Sequence, residues 1–81
     1  MKAPRATYEV DGAAIRKIRM SRGQSIADLA RIAGLTSSYL SRLETGVRRR
    51  TRPPTYLALR AALGLAPDDD SLLASSETAP E

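Results

Sequence analysis

A chain of 81 residues with 13 Lys and Arg, 9 Asp and Glu, no His and no Cys allows one small domain with a thin core and excludes a disulfide framework or a thiolate zinc site. No phosphate-cradling glycine loop, no paired carboxylates in a plausible cleft and no nucleophile beside a base occur, so an enzyme, a bound metal and a cofactor are not expected. The net charge of +4 is uneven: every cation lies at or before Arg60, and residues 1–65 hold 13 cations against 4 acids, or +9, a balance that attracts polyanions.

A membrane is one such polyanion, but no apolar run approaches a transmembrane length and none after Lys2 could serve as a signal peptide. The expected location is therefore the cytoplasm. Residues 1–10, MKAPRATYEV, form a basic N-terminal segment. Lys2 and Arg5 suit either a flexible arm that reaches DNA or a disordered start, with Tyr8 and Val10 as its anchor to the body. The domain proper is expected over 11–74, and SSETAPE, residues 75–81, as an acidic disordered tail.

Asp11 is a good N-cap for a first helix from Gly12 to about Arg22, with Ile15 and Ile18 as its apolar stripe and Arg19 at the edge of that stripe. The stretch Ser25 to Gly46, SIADLARIAGLTSSYLSRLETG, then reads as two short helices broken by a glycine turn. Ser25 caps the first, with Asp28 as an acidic capping-box partner, and Leu29, Ala30 and Ala33 share one face. Gly34 suits the left-handed end of that helix, and Leu35 plugs the turn. Thr36 caps the second helix, which ends at Gly46. If its Leu40 and Leu43 face the core, then Ser37, Ser38, Ser41, Arg42 and Thr45 point wholly or partly outward. Small hydroxyls around one long cation suit close approach to a groove edge. A solvated helix of a small bundle would show the same pattern.

The run VRRRTRPP, Val47 to Pro54, is the most basic part of the chain. Its four arginines suit phosphates; a merely solvated loop and an acidic protein partner are the other readings. If Arg48, Arg49, Arg50 and Arg52 all touched phosphates, they would contribute about −3.6 to the slope of log K against log salt. Pro53 and Pro54 precede a helix expected over about Thr55 to Leu63, with Tyr56, Leu59 and Leu63 inward. Arg60 stands beside that stripe and must either snorkel outward or meet an acid. Pro67 and Asp68 to Asp70 signal a short fifth helix over roughly 69–74, with Leu72 and Leu73 covering the core or making a dimer contact.

Ile15, Arg16, Arg19 and Gly23, then Ser25, Leu29 and Ala30, then Ala33 to Thr36, then Tyr39, Leu40, Ser41, Leu43, Glu44 and Gly46 stand at the spacing of a known pattern. The chain resembles the Xre/Cro type of helix-turn-helix protein over roughly residues 12–65. The resemblance implies an all-α, compact four- to five-helix lambda-repressor-like fold. It implies a structural ion pair between Arg19 and Glu44. It places base contacts at Thr36, Ser37, Ser38 and Arg42, where Arg42 could equally hold a phosphate. A bidentate guanine contact from Arg42 would be worth about 1–3 kcal/mol of discrimination. Phosphate contacts fall on Ser25, Tyr39, Thr45, Arg48, Arg49, Arg50 and Arg52, although Tyr39 could instead sit half buried. The family often carries Gln where this chain has Ile26, so its polar bracing contact has to come from Ser25, the backbone at this helix N-terminus or Thr36, or else Ile26 meets a thymine methyl or an apolar partner.

The implied function is sequence-specific binding of double-stranded DNA as a transcriptional regulator, a repressor in the first instance, acting as a homodimer on a pseudo-palindromic operator. Two alternatives stay open on sequence alone: an antitoxin-like module that binds a partner protein, and a DNA-binding factor of phage or plasmid maintenance.

Overall fold

The structure, a computed structural model, describes residues 7–74. It contains four helices and one two-stranded sheet among those residues, and three of the helices begin at a side chain that answers their orphan amides. Asp11 Oδ1 accepts from the amides of Ala13 and Ala14 at 3.1 and 3.2 Å, starting α1 (Gly12–Ser21). Ser25 and Asp28 form a reciprocal capping box at the head of α2 (Ile26–Ala33). Thr36 Oγ1 accepts from the Tyr39 amide at 3.1 Å, opening α3 (Ser37–Thr45). Gly34 and Gly46 close α2 and α3 in the left-handed conformation, at φ 75° and 84°, which a β-carbon would disfavour.

The fourth helix, α4 (Pro53–Ala62), has no side-chain cap and takes both prolines as its first two residues. The sequence places the prolines before a helix that starts at about Thr55. They stand inside it, because the first amides of a helix have no intrahelical acceptor and their loss costs nothing.

Helix α3 packs against both α1 and α2, and α4 packs against α2. Between them Ile15, Leu29, Leu40, Leu43, Leu59 and Leu63 are at most 1% exposed. The apolar stripes expected from periodicity thus meet in one core, with Ile18 half buried at its margin.

The two ends of the described chain differ from expectation. Tyr8–Glu9 is a strand, β1, paired antiparallel with β2 (Arg50–Thr51) in the register Tyr8 to Thr51 and Glu9 to Arg50. The Val10 amide donates to Arg49 O at 2.8 Å, and on the other edge the Asp11 amide donates to Leu72 O at 2.7 Å and the Ala74 amide to Glu9 O at 3.0 Å. Residues 7–10 therefore belong to the body, while Lys2, Arg5 and the acidic tail 75–81 lie outside the described residues.

Residues 69–74 do not form the expected fifth helix. Asp69 accepts from the Ser71 amide at 2.8 Å, a local turn that competes with helix, and Leu73 makes an antiparallel bridge with Val10. Leu72 is fully buried and Val10 is 5% exposed. Of the two readings of Leu72 and Leu73, covering the core is the one that Leu72 takes, while Leu73 packs partly buried against it. Arg60 resolves by stacking over the Tyr56 ring at 5.5 Å, a cation–π arrangement that also brings its charge toward Asp69.

The start of α1 abuts the end of α3 so closely that only glycine fits. A β-carbon on Gly12 would lie 2.1 Å from Leu43 O and 2.7 Å from Glu44 O, both backbone atoms. This sets the positive end of α1 against the negative end of α3. Gly12→Ala is expected to lower stability by about 1–3 kcal/mol through overpacking, read as a lower thermal midpoint. Helix propensity alone predicts the opposite sign, a gain of up to about 1 kcal/mol, so a stabilised variant would show that the contact is loose.

Candidate nucleic-acid interface

The outer face of α3 follows from which of its residues the core consumes. Leu40, Leu43 and Glu44 are buried; Ser37, Ser38, Arg42 and Thr45 are exposed, and Ser41 is half exposed. Thr36 satisfies the Tyr39 amide, which leaves the Ser37 and Ser38 amides as the free donors of the first turn. The helix thus presents a positive dipole end beside small hydroxyls, with the Arg42 side chain one turn further on. The Arg42 guanidinium has no hydrogen-bond or ion-pair partner among the described residues.

Beneath that face, the orientation of α3 is held by charge. Arg19 Nε donates to Glu44 Oε2 at 2.6 Å and Nη2 to Oε1 at 3.0 Å, while Nη1 donates to the Gln24 carbonyl at 2.8 Å. Both residues are 8% exposed. The hydrogen bond to Glu44, and secondarily its charge, hold the Arg19 pKa above its ordinary value against the opposing effect of burial. The bidentate pair fastens α1 to the last turn of α3.

The arginine run is divided by its partners. The Arg48 guanidinium lies 5.3 Å over the Tyr39 ring. The Tyr39 hydroxyl is hydrogen-bonded to Thr51 Oγ1 at 2.7 Å, tying α3 to β2; Tyr39 is half buried and Thr51 is buried. Arg50 is turned to the N-terminal strand: its Nε donates to Thr7 Oγ1 at 2.7 Å, its Nη2 to Thr7 O at 3.2 Å, and its Nη1 is 3.7 Å from Glu9. Arg49 and Arg52 are exposed without a side-chain partner among the described residues. Thr36, Tyr39, Arg48, Arg50, Arg52 and Thr55 line one open groove of about 480 Å3 between the starts of α3 and α4.

Two of the expected phosphate contacts have their polar atoms otherwise engaged. The Thr45 hydroxyl donates back to Ser41 O at 3.0 Å, so its one proton is used within the helix. Ser25 Oγ accepts from the Asp28 amide at 3.0 Å, and its hydroxyl bonds the Asp28 carboxyl in return. The Asp28 carboxyl, bonded by the Ser25 hydroxyl and backbone amide and by Arg31, is held below its usual pKa. Ile26 is half buried and packs on the core, so an apolar contact replaces the polar brace that Gln would supply. Sequence reasoning missed Thr7, Thr51 and Thr55; a Thr between arginines carries no local signal that its hydroxyl will find a tyrosine 12 residues away.

The profile of a family described as a helix-turn-helix domain matches residues 12–73, which contain the α2–turn–α3 unit and its supporting helices. This chain belongs to the helix-turn-helix family, in its Xre/Cro-like branch. The helix-turn-helix domain is also similar to solved structures. The restriction-modification controller protein C.AhdI from Aeromonas hydrophila is 34% identical, with a TM-score of 0.65 over 69% of this chain and 83% of that one. The master regulator for biofilm formation SinR, solved in complex with DNA, is 29% identical, with a TM-score of 0.65 over 68% of this chain and 87% of that one. The N-terminal DNA-binding domain of SinR from Bacillus subtilis is 29% identical, with a TM-score of 0.64 over 68% and 80%. A comparison with curated protein sequences finds no match. No helix among the described residues is long and apolar enough to cross a membrane.

Proposed function

We propose that this helix-turn-helix protein is a sequence-specific regulator of transcription, a repressor that acts by occluding its operator. The observation that carries the reading is the outward face of α3, where Thr36, Ser37 and Ser38 surround a helix N-terminus with free amides and Arg42 stands one turn further on. Small side chains let such a helix approach base edges in the major groove, and Arg42 reaches a guanine. Arg48, Arg49 and Arg52 line the adjoining backbone, with Tyr39 as a neutral donor to phosphate. Arg50 serves mainly to hold β1 against this surface, given its bonds to Thr7. Two protomers on half-sites about one helical turn apart would read a pseudo-palindromic operator. The relatives, a controller protein and a master regulator in complex with DNA, support regulation as the role.

Selection of bound sites from a random duplex library tests the proposal. A twofold-symmetric motif, bound at least about a thousandfold more tightly than scrambled duplex, is the expected result. Weak, salt-steep binding without a motif would overturn it and favour a module that docks a partner protein.

A further inference from the structure

Val47 is 77% exposed, more than Met20, Ile32 or Leu57, the other large apolar side chains on the described surface. Its surroundings are unusual for a valine. It shares an open concavity of about 370 Å3 with Arg42, Arg48, Arg49 and Arg50, so every neighbour that lines the hollow is a cation. Its backbone is held on both sides. Gly46 turns the chain out of α3 in the left-handed conformation, and the Arg48 amide donates to Arg42 O at 3.0 Å. The loop apex therefore projects one isopropyl group just beyond the helix proposed to read bases, beside the long side chain proposed to read a guanine.

An isopropyl group gains nothing from phosphate, and the stems of its arginine neighbours leave it 77% exposed. The major groove offers one apolar group on its base edges, the C5-methyl of thymine. We infer that Val47 is a specificity-determining residue that packs its γ-methyls on the C5-methyl of a thymine adjacent to the base read by Arg42. Valine suits this task because its β-branched side chain has little rotamer freedom to lose on contact. The readout is composite, with a cation from α3 and a methyl clamp from the loop, while the flanking arginines hold the apex at the groove. This inference rests on the proposed major-groove placement of α3.

The test uses the full chain and the duplex enriched by selection. Each thymine of a half-site is replaced in turn by deoxyuridine, which removes the methyl and keeps base pairing. One position is expected at which the wild-type protein loses about fourfold in affinity, the worth of a single buried methyl. Val47→Ala is expected to lose affinity for the parent duplex by a similar factor and to be indifferent to deoxyuridine at that position alone. The exposure of Val47 predicts an unchanged thermal midpoint for the variant, so the comparison is between folded proteins. A deoxyuridine profile that is the same for wild type and Val47→Ala at every position would overturn the inference while leaving the operator intact. Failure of any motif to emerge from the selection would overturn the major-groove reading itself, and this inference with it.

Discussion

Glu44→Ala is expected to cost about 3–5 kcal/mol of folding stability, because it leaves the Arg19 guanidinium buried without its anion. The carboxylate accepts two bonds, at 2.6 and 3.0 Å, and both partners are only 8% exposed. A domain of this size holds only some 4–12 kcal/mol in total, so the variant should lose at least about a quarter of its stability. Denaturant titration measures the loss directly. The double variant Arg19→Met, Glu44→Leu should recover most of it, since replacing a buried pair by apolar side chains removes the desolvation penalty along with the attraction. A loss below about 1 kcal/mol for the single variant would place the pair among solvated surface bridges and would undo its assignment as the fastening between α1 and α3.

The largest expected effect on function comes from the loop. Replacing Arg48, Arg49 and Arg52 together by Ala should make the slope of log K against log salt shallower by about 2.7 and lower affinity roughly a hundredfold near 0.15 M salt, from about 0.9 released counterion per phosphate contact. Fluorescence anisotropy on the selected duplex at several salt concentrations measures both quantities. Arg50→Ala is expected to behave differently. Its bonds to Thr7 and its approach to Glu9 assign it to the hold on β1, so the slope should change little while the thermal midpoint falls. If the triple variant keeps the parental slope, those three arginines are solvated and the backbone is held elsewhere.

The ion pair and the arginine loop were legible to different depths. The alignment of Arg19 and Glu44 with a family pattern foretold a contact between residues 25 apart, and its geometry bears that out. The four arginines of the loop look equivalent in sequence, yet one is claimed by Thr7, one stacks on Tyr39, and two are left to solvent. Nothing local distinguishes them, because what separates them is a tyrosine on α3 and a strand that arrives from the other end of the domain.

Local physical chemistry determined the caps at Asp11, Ser25 and Thr36, the left-handed stops at Gly34 and Gly46, and the inward stripe of each helix. Each depends on side chains within about a turn of one another, where spacing alone decides who can bond to whom. Only tertiary structure decided the rest. Residues 72–74 could have continued as a helix, but β1 offers its second edge to them and the core takes Leu72, so they pair with the N-terminal strand. Gly12 reads in sequence as a weak helix former, and its necessity comes from the carbonyls of Leu43 and Glu44 pressed against it. Partners far apart along the chain meet only after the core closes, and their backbone hydrogen bonds and close contacts outweigh the small local preferences that the sequence displays.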